Sequence, residues 1–252
     1  MSNALDPTSK PLVAVTGASR GIGHAIVKQF YNKGWDVMTL SRTPFSQVCP
    51  WAEGIVRHIE TDLSDEDSVM AAADQLRQQI DGRGLNALVN NAGISPKEAD
   101  GSRLLATRTD LTTFRKVEMV NLIAPLILVR ELLDPLAQVG GAVVNVSSIA
   151  ATQVHPFAGA AYAISKAGLS ALTRELAHEL ASKGVRVNAV SPGEIATTIL
   201  SPGTGDIISR NVPMQRLGDP GEVADVVLFL CSKQSSYVNG AEIPINGGQH
   251  LA

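Results

Sequence analysis

Short apolar runs alternate along this chain with longer stretches in which apolar residues recur every three or four positions. Near-continuous apolar runs are typical of parallel strands covered on both faces, and the longer spacing is typical of amphipathic helices. The runs predict one strand that begins at Leu12 and further strands over residues 35–40, 54–60, 85–90, 142–146 and 185–190. Strands that alternate with helices predict an α/β fold built on a doubly wound parallel sheet.

Local signals predict where several of the helices begin and end. Apolar residues at helical spacing from Ile22 to Phe30 are followed by Gly34, which suits the position just after a helix. Ser64, with Asp67 three residues later, predicts a capping box for another helix. A later helix, which ends at Gly184, has a row of leucines on one face: Leu169, Leu172, Leu176 and Leu180. This row is predicted to lie in the core or at a subunit interface.

The first predicted strand leads directly into a turn that contains Gly17, Gly21 and Gly23, and a helix follows the turn. Glycines let the backbone approach a pyrophosphate closely, and the N-terminus of a helix offers that group unpaired N–H donors and a positive dipole end. A tight loop without a ligand is the alternative interpretation. The order of strand, turn and helix favours dinucleotide binding and a Rossmann-like single domain over residues 1–252.

Composition narrows the class of protein. The chain has 252 residues, 44% of them hydrophobic, and a net charge of −3, so nucleic acid is not an expected partner. No apolar run reaches membrane-spanning length, and residues 1–10 are polar and expected to be flexible. Cys49 and Cys231 lack metal-ligand spacing, so we expect no metal site. These features predict a cytoplasmic protein.

Tyr162 and Lys166 carry the clearest chemical signal. Residues four apart lie on one face of a helix, so the ammonium group can approach the phenol. Lowering the pKa of a tyrosine from about 10 to about 7 requires about 4 kcal/mol of selective phenolate stabilisation, and a fixed cation has the right sign. The pair predicts a general acid–base couple, with a solvated surface pair as the alternative.

The glycine spacing Gly-x-x-x-Gly-x-Gly, the segment Asn90-Asn91-Ala92-Gly93 and the Tyr162–Lys166 pair occur in an order that resembles the short-chain dehydrogenase/reductase family. The resemblance covers about residues 11–248 and is to the short, single-domain branch with 3-oxoacyl reductase-like members. It implies a catalytic set of Asn121, Ser148, Tyr162 and Lys166. It implies cofactor contacts from Gly17, Ser19, Arg20, Gly21, Ile22, Gly23, Ser41, Arg42, Asp62, Leu63, Asn91, Ala92, Gly93, Tyr162, Lys166, Pro192, Gly193, Ile195 and Thr197.

The cofactor is predicted to be NADP(H) rather than NAD(H). The second strand is followed by Ser41 and Arg42, with no acid where a ribose 2′-hydroxyl would be bound, and Arg20 can add a second cation for a 2′-phosphate. Both arginines can instead be ordinary surface residues. By resemblance Asp62 contacts the adenine side, and the alternative is a carboxylate that leads the helix near Ser64.

The resemblance also implies a mechanism. Tyr162 would protonate a carbonyl oxygen that Ser148 holds, while Lys166 would depress the pKa of Tyr162 and bind the nicotinamide ribose. Ser147 is the neighbouring candidate, but adjacent strand-end residues point to opposite faces. Pro125 has no N–H, so the carbonyl of Asn121 would lose its helical partner and could bind a water on a proton path, or the helix could simply kink there.

The expected substrate is a small carbonyl compound or alcohol, framed by residues 94–113 and by a lid over residues 194–213. His155 and Phe157 are candidates to face this pocket, and a structural role is the alternative for His155. A non-catalytic dinucleotide sensor and an epimerase or dehydratase are the competing functions. The resemblance further implies a homodimer or homotetramer, with no membrane partner.

Overall fold

The protein is built around a seven-stranded parallel sheet with strand order β3-β2-β1-β4-β5-β6-β7. The structure is a computed structural model that describes residues 10–49, 52–54, 56–197 and 203–251. The strands are β1 (Leu12–Thr16), β2 (Asp36–Ser41), β3 (Arg57–Glu60), β4 (Ala87–Asn90), β5 (Ala142–Val146), β6 (Arg186–Pro192) and β7 (Glu242–Ile245).

Helices connect consecutive strands and cover both faces of the sheet. They are α1 (Gly21–Asn32), α2 (Phe45–Val48), α3 (Glu66–Ile80), α4 (Leu111–Glu118), α5 (Ala124–Glu131), α6 (Leu133–Val139), α7 (Ala160–Leu180), α8 (Thr204–Asn211) and α9 (Pro220–Cys231). Residues 1–9, 50–51, 55, 198–202 and 252 lie outside the described residues, and they include most of the segment 1–10 that was predicted to be flexible and part of the predicted lid.

Alternate residues of β1 show why the sheet is buried on both sides. Leu12 and Ala14 pack into a core cluster with residues of α3, α5 and α7, whereas Val13 and Val15 pack with residues of α1 and α9. All four side chains are fully buried. Because successive strand residues point to opposite faces, a strand between two helical layers must be apolar throughout. The predicted doubly wound α/β fold is confirmed.

The predicted strands are found, but several of their ends were wrong by one to three residues. The strand predicted over 54–60 begins at Arg57, and the one predicted over 85–90 begins at Ala87. Leu85 is buried like a strand residue, yet its N–H donates to the carbonyl of Pro135 at 2.8 Å instead of to a neighbouring strand. Edge strand β7 was not predicted, because it is short, only partly buried and contains Pro244.

The predicted helix boundaries are partly confirmed. Gly34 has φ +80° directly after α1, as expected for a residue that ends a helix. The capping box predicted from Ser64 is wrong, because Asp65 is the N-cap of α3 and its carboxylate accepts from the N–H of Asp67. Ser64 instead donates its hydroxyl hydrogen to Asp62 at 2.8 Å.

The helical segment around Asn121 departs from α-helical geometry. Residues Met119–Ile123 form a π-helical turn in which the N–H of Ala124 donates to the carbonyl of Met119. Pro125 follows in the first turn of α5, where its missing N–H disturbs the ordinary hydrogen-bond ladder. The expected interruption is therefore present. That the Asn121 carbonyl binds a water on a proton path remains a prediction.

Candidate active site

The strand order reverses between β1 and β4, and ligands of doubly wound sheets bind in the crevice at such a point. Thr16 ties the two strand ends together. Its hydroxyl oxygen accepts from the N–H groups of Asn91 and Ala92 at 3.0 and 3.1 Å. The side-chain amide of Asn91 donates to the carbonyls of Thr16 and Gly17 at 3.0 and 2.9 Å. These bonds hold the crevice in one shape.

The glycine turn is packed so closely against its surroundings that it has no room for a side chain at two of its positions. A Cβ on Gly17 would lie 2.7 Å from Cα of Ala92, and Gly17 has φ +66°. A Cβ on Gly23 would lie 2.3 Å from the carbonyl oxygen of Gly17 and 2.4 Å from Nδ2 of Asn91. The floor of the crevice is therefore backbone, beside the N-terminus of α1. This backbone-lined cradle fits a dinucleotide pyrophosphate.

The turn after β6 reaches the same crevice. A Cβ on Gly193 would lie 2.6 Å from Cβ of Asn246, so Pro192 and Gly193 pack directly against the segment after β7. A Cβ on Gly21 would lie 3.3 Å from Cγ2 of Thr197, which brings this turn to the glycine turn. Thus two regions predicted separately as cofactor contacts are adjacent in the structure.

The remaining predicted cofactor residues surround the crevice in different settings. Arg20 and Arg42 are exposed, Ser19 and Ile22 are half-buried, and the hydroxyl of Ser41 donates to the carbonyl of Thr43 at 2.7 Å. Leu63 and Ile195 are buried in the core, on opposite faces of the sheet. Their side chains serve packing, so any contact with a cofactor would have to come from their backbone atoms.

Asp62 has a defined local role. Its Oδ1 accepts from the N–H and the hydroxyl of Ser64 at 2.9 and 2.8 Å. These two bonds lower the pKa of the carboxyl, and the nearby charge of Arg42 lowers it further. The residue thus organises the turn before α3, which is the alternative that the sequence left open for it. Contact with adenine remains a prediction.

Tyr162 and Lys166 lie near the N-terminus of α7, at the end of β5. Lys166 is 2% exposed, and its Nζ donates to the carbonyl of Val146 at 2.7 Å. The ammonium lies 5.8 Å from the centre of the Tyr162 ring. A Cβ on Gly93 would be 3.3 Å from this Nζ, so the lysine also borders the segment after β4. The solvated surface pair considered from the sequence is excluded by this burial.

The two serines after β5 have different surroundings. Ser148 is half-buried and forms a side-chain hydrogen bond with Tyr162. Ser147 is 3% exposed, and its hydroxyl contacts the carbonyl of Lys166 and the hydroxyl of Ser170 at 3.3 and 3.0 Å. Ser147 therefore packs against α7, and Ser148 is the serine beside the phenol. Their opposite directions follow the predicted alternation.

The predicted direction of the Tyr162 pKa shift is wrong for this structure. Burial raises the pKa of the phenol, and the hydrogen bond from Ser148 opposes that rise only in part. Burial also lowers the pKa of Lys166 to about 8. Desolvation disfavours the charged form of each group, and here it outweighs the attraction expected between ammonium and phenolate.

Asn121 joins two elements of the site. Its Oδ1 accepts from the N–H of Ile94 at 2.8 Å, and its Nδ2 donates to the carbonyl of Ile94 and to the hydroxyl of Ser165 at 3.0 Å each. The side chain is fully buried. It therefore fixes the segment after β4 against α7, directly beside Tyr162 and Lys166.

A polar cluster that was not predicted lies beyond the catalytic candidates. His155 Nε2 contacts Glu194 Oε1 at 2.6 Å, with side chains only 11% and 9% exposed. Lys97 interacts electrostatically with Glu194, and its Nζ lies 5.4 Å from the centre of the Phe157 ring. His155 and Phe157 were named as candidates from the sequence, and Lys97 and Glu194 lie in the two segments, 94–113 and 194–213, that were predicted to frame the pocket. The signal that could have revealed it is that each charged member follows a different central strand.

The described residues were also compared with the requirements of a metal site and of a membrane-spanning helix. No group of three or more His, Cys, Asp or Glu residues there could hold a metal ion. No helix in the same ranges is long and apolar enough to cross a membrane. Cys231 is buried, which raises the pKa of its thiol to about 12, and Cys49 Sγ lies 3.3 Å from Nε2 of His24.

The fold and the crevice define a dinucleotide-binding α/β protein with a Ser–Tyr–Lys cluster. A family model described as Enoyl-(Acyl carrier protein) reductase matches residues 17–250. Protein FixR of Bradyrhizobium diazoefficiens is 48% identical over 248 residues, which cover 98% of this chain and 89% of FixR. The 3-oxoacyl-[acyl-carrier-protein] reductase FabG of Aquifex aeolicus is 36% identical over 93% of this chain and 95% of its own length.

Solved structures give the same result. The crystal structure of an oxidoreductase of the short-chain dehydrogenase/reductase family from Brucella ovis, in complex with a partially ordered NAD, is 46% identical with a TM-score of 0.81. The match covers 94% of this chain and 100% of the Brucella ovis chain. The chain belongs to the short-chain dehydrogenase/reductase family of oxidoreductases. The resemblance inferred from the motifs is confirmed.

Proposed function

We propose that this protein is an NADP(H)-dependent oxidoreductase that interconverts a carbonyl compound and a secondary alcohol, with Tyr162 as the general acid–base. The observation that carries the proposal is the convergence of Ser148, Tyr162 and Lys166 beside the backbone-lined cradle. A dinucleotide sensor would need the cradle alone. It would not need a buried lysine within 5.8 Å of a phenol ring that is also hydrogen-bonded to a serine.

The raised pKa of Tyr162 suits proton donation in the reducing direction. A phenol that holds its proton at neutral pH can give it to a carbonyl oxygen as negative charge develops there. The hydroxyl of Ser148, already bonded to the phenol, would donate a second hydrogen bond to the same oxygen. Lys166, which holds its ammonium against the Val146 carbonyl, would stabilise the phenolate left behind.

The cofactor would lie over Gly17, Gly21, Gly23 and Gly93, with its pyrophosphate at the N-terminus of α1. When bound, a nicotinamide dinucleotide supplies or accepts the hydride. The preference for NADP is supported by Arg20 and Arg42, which are exposed at the adenosine side and carry the charge that a 2′-phosphate needs. The Brucella ovis relative was solved with a partially ordered NAD, and titration of this protein with NADPH and NADH in parallel measures its preference.

We also propose a cytoplasmic homodimer or homotetramer. Support for self-association comes from exposed apolar residues on neighbouring helical segments: Leu111 is 67% exposed, Ile123 is 37% exposed and Ile164 is 51% exposed. Exposed apolar side chains grouped on packed helices favour subunit contacts. Size-exclusion chromatography with light scattering measures the assembly, and a monomer at micromolar concentration would contradict it.

The test is oxidation of NADPH and NADH by the purified protein with a panel of ketones, aldehydes, diketones, quinones and 3-oxoacyl thioesters. Tyr162→Phe is compared with the wild type. We expect turnover with NADPH and a loss of roughly a thousandfold in the variant, since general acid catalysis contributes about 10²–10⁴-fold. Nucleotide binding should stay within about twofold. Nucleotide binding without turnover of any compound would instead favour the sensor.

A further inference from the structure

The turn after β6 contains three residues predicted to contact the cofactor: Gly193, Ile195 and Thr197. The main chain of this turn is fixed by two hydrogen bonds to one residue, Gly218. The N–H of Gly218 donates to the carbonyl of Glu194 at 2.9 Å, and the N–H of Ala196 donates to the carbonyl of Gly218 at 2.8 Å. Glu194 is therefore a fixed part of the turn, between two residues predicted to contact the cofactor.

The strand order indicates which half of a dinucleotide this turn would contact. β2, which leads to Arg42, lies on one side of β1, whereas β6 lies on the other side, beyond β4 and β5. A 2′-phosphate that meets Arg42 directs the adenosine half of the cofactor towards β2. The nicotinamide half then extends towards β5 and β6. The turn 193–197 consequently belongs to the nicotinamide side of the crevice.

The side chain of Glu194 is held by a different loop. Its Oε1 lies 2.6 Å from Nε2 of His155, and the two side chains are only 9% and 11% exposed. Nδ1 of His155 accepts from the N–H of Phe157 at 3.3 Å, so Nε2 carries the hydrogen that is donated to the carboxylate. Hydrogen bonds to a charged group are stronger than neutral ones, and burial removes the competition from water.

The loop 155–157 contacts the chain after β6 at a second point. A Cβ on Gly203, the residue directly before α8, would lie 3.3 Å from Cζ of Phe157. The loop is part of the connection between β5 and α7, which also carries the catalytic candidate Ser148. The connection that carries this serine therefore also holds the chain after β6 in place, at Glu194 and at Gly203.

We propose that His155 and Glu194 are positioning residues, which hold the turn 193–197 where it binds the nicotinamide half of the cofactor. Neither side chain needs to touch the substrate or the cofactor. The hydrogen bond acts through the main chain of Glu194, which Gly218 fixes from the other side. Orientation of the reacting ring contributes to the rate as well as to binding. This inference rests on the proposed oxidoreductase function.

The experiment separates the two halves of the nucleotide. Isothermal titration calorimetry measures the Kd for NADPH and the Kd for 2′-phospho-ADP-ribose, which lacks the nicotinamide. NADH and ADP-ribose form a second pair, so the test does not depend on which cofactor the protein prefers. His155→Phe should raise the Kd for the intact dinucleotide about tenfold, because a hydrogen bond to a charged group is lost. The Kd for the fragment should stay within about twofold, because the adenosine half does not reach the turn 193–197.

Two further variants distinguish positioning from loss of structure. His155→Gln retains a side-chain N–H donor for the carboxylate and should keep the Kd for NADPH within about threefold of the wild type. The double variant with His155→Phe and Glu194→Leu makes both partners apolar, so no buried carboxylate loses its donor. It should melt near the wild-type temperature and still bind NADPH about tenfold more weakly. His178→Phe, the same change at an exposed position of α7, is the matched control and should alter neither Kd.

Turnover provides a second readout of the same variants. With a carbonyl compound that the wild type reduces, His155→Phe should raise KM for NADPH and lower kcat, since a misplaced nicotinamide reacts more slowly. Tyr162→Phe should instead lower kcat and leave KM for NADPH unchanged, because it removes the proton donor and not the turn.

The titrations also test the proposed function separately. Equal weakening of NADPH and of the fragment in folded variants would mean that the pair supports the crevice as a whole, which overturns the inference. Unchanged affinity for both nucleotides overturns it as well, and either result leaves the oxidoreductase function standing. A wild type that binds dinucleotides but reduces no carbonyl compound overturns the proposed function, and selective weakening of NADPH by His155→Phe would still support the positioning of the turn. A wild type that binds no dinucleotide overturns both.

Discussion

The two halves of the crevice are built in different ways. The nucleotide half is formed by backbone: glycines that leave no room for side chains, and a Thr16–Asn91 network that fixes the strand ends. The other half, which we propose as the substrate half, is formed by side chains from three loops, with a buried His155–Glu194 contact. Backbone atoms can bind the pyrophosphate, which all dinucleotides share. Side chains on loops can differ between proteins without disturbing the sheet.

This difference explains why membership of a family says more about the cofactor than about the substrate. The cradle requires specific residue types at specific places, since a Cβ at Gly17 or Gly23 meets backbone atoms at 2.7 Å or less. Gly193 in the loop after β6 has a similar requirement, whereas Lys97, His155 and Glu194 meet their surroundings through side chains. Function that varies between relatives is therefore expected at Lys97, His155 and Glu194, and the shared chemistry at Ser148, Tyr162 and Lys166.

Among the substitutions that compare the two halves, the largest expected effect comes from filling the cradle. Gly23→Ala places a methyl group 2.3 Å from the carbonyl oxygen of Gly17 and 2.4 Å from Nδ2 of Asn91, so the turn must shift. We expect a loss of unfolding free energy of about 3 kcal/mol, the upper part of the usual range for overpacking. The displaced turn should also raise the Kd for NADPH by roughly a hundredfold or more. Fluorescence titration and denaturant unfolding measure the two effects.

Gly205→Ala is the matched control for this change. Gly205 lies in α8, and a Cβ there would meet no atom within 4 Å. Its substitution should leave nucleotide affinity unchanged and should stabilise the helix slightly, because alanine favours helices more than glycine does. Equal affinities for wild type and Gly23→Ala would show that the glycine turn does not contact the pyrophosphate.

A smaller effect is expected where the two halves meet, at Lys166. Its pKa is lowered to about 8 from the model-peptide value of 10.5, so the folded protein disfavours the charged form. At pH 7 this shift corresponds to a destabilisation of the folded protein by about 3 kcal/mol at most. Substitution of Lys166 removes that penalty but also removes the hydrogen bond to Val146, which costs about 1 kcal/mol. Lys166→Met should therefore stabilise the nucleotide-free protein by about 2 kcal/mol at pH 7.

The pH dependence of that gain has a definite sign. Below pH 8 the lysine is protonated in both folded and unfolded protein, so the full penalty is present. Between about pH 8 and 10.5 the unfolded chain binds more protons than the folded one, and the wild type gains stability as pH rises. Urea unfolding at pH 7 and pH 10, with the exposed Lys33→Met as control, should show the advantage shrinking. An advantage that grows with pH would contradict the assigned shift.

The sequence predicted the first strand, the glycine turn and the following helix well because their signals are local. The apolar run from Leu12, the glycines from Gly17 to Gly23 and the helix that follows lie within one short segment, and each glycine has a steric reason. The Tyr162–Lys166 pair was also local, being one helical turn. Alternation at a strand end predicted that only one of Ser147 and Ser148 could line the site, the family resemblance favoured Ser148, and the structure brings Ser148 to the phenol.

Predictions failed where distant residues or burial decide the outcome. His155 and Glu194 lie 39 positions apart, and only the fold brings their loops together. The Tyr162 pKa was expected to fall because Lys166 is four residues away. However, Lys166 Nζ is bonded to the Val146 carbonyl, and burial raises the phenol pKa. Likewise, Asp65 rather than Ser64 caps α3, because Ser64 is engaged by Asp62.

The smallest expected effect concerns cofactor choice, which depends on exposed side chains rather than on the backbone cradle. Arg42→Ala should raise the Kd for NADPH about tenfold and leave the Kd for NADH within about twofold, because only NADPH carries the 2′-phosphate. Added salt should reduce the difference, since exposed charges are screened. Arg115→Ala, an exposed change on α4, is the control and should affect neither nucleotide. Equal weakening of both nucleotides by Arg42→Ala would mean that Arg42 supports the adenosine side generally, and the proposed NADP preference would then depend on Arg20 alone.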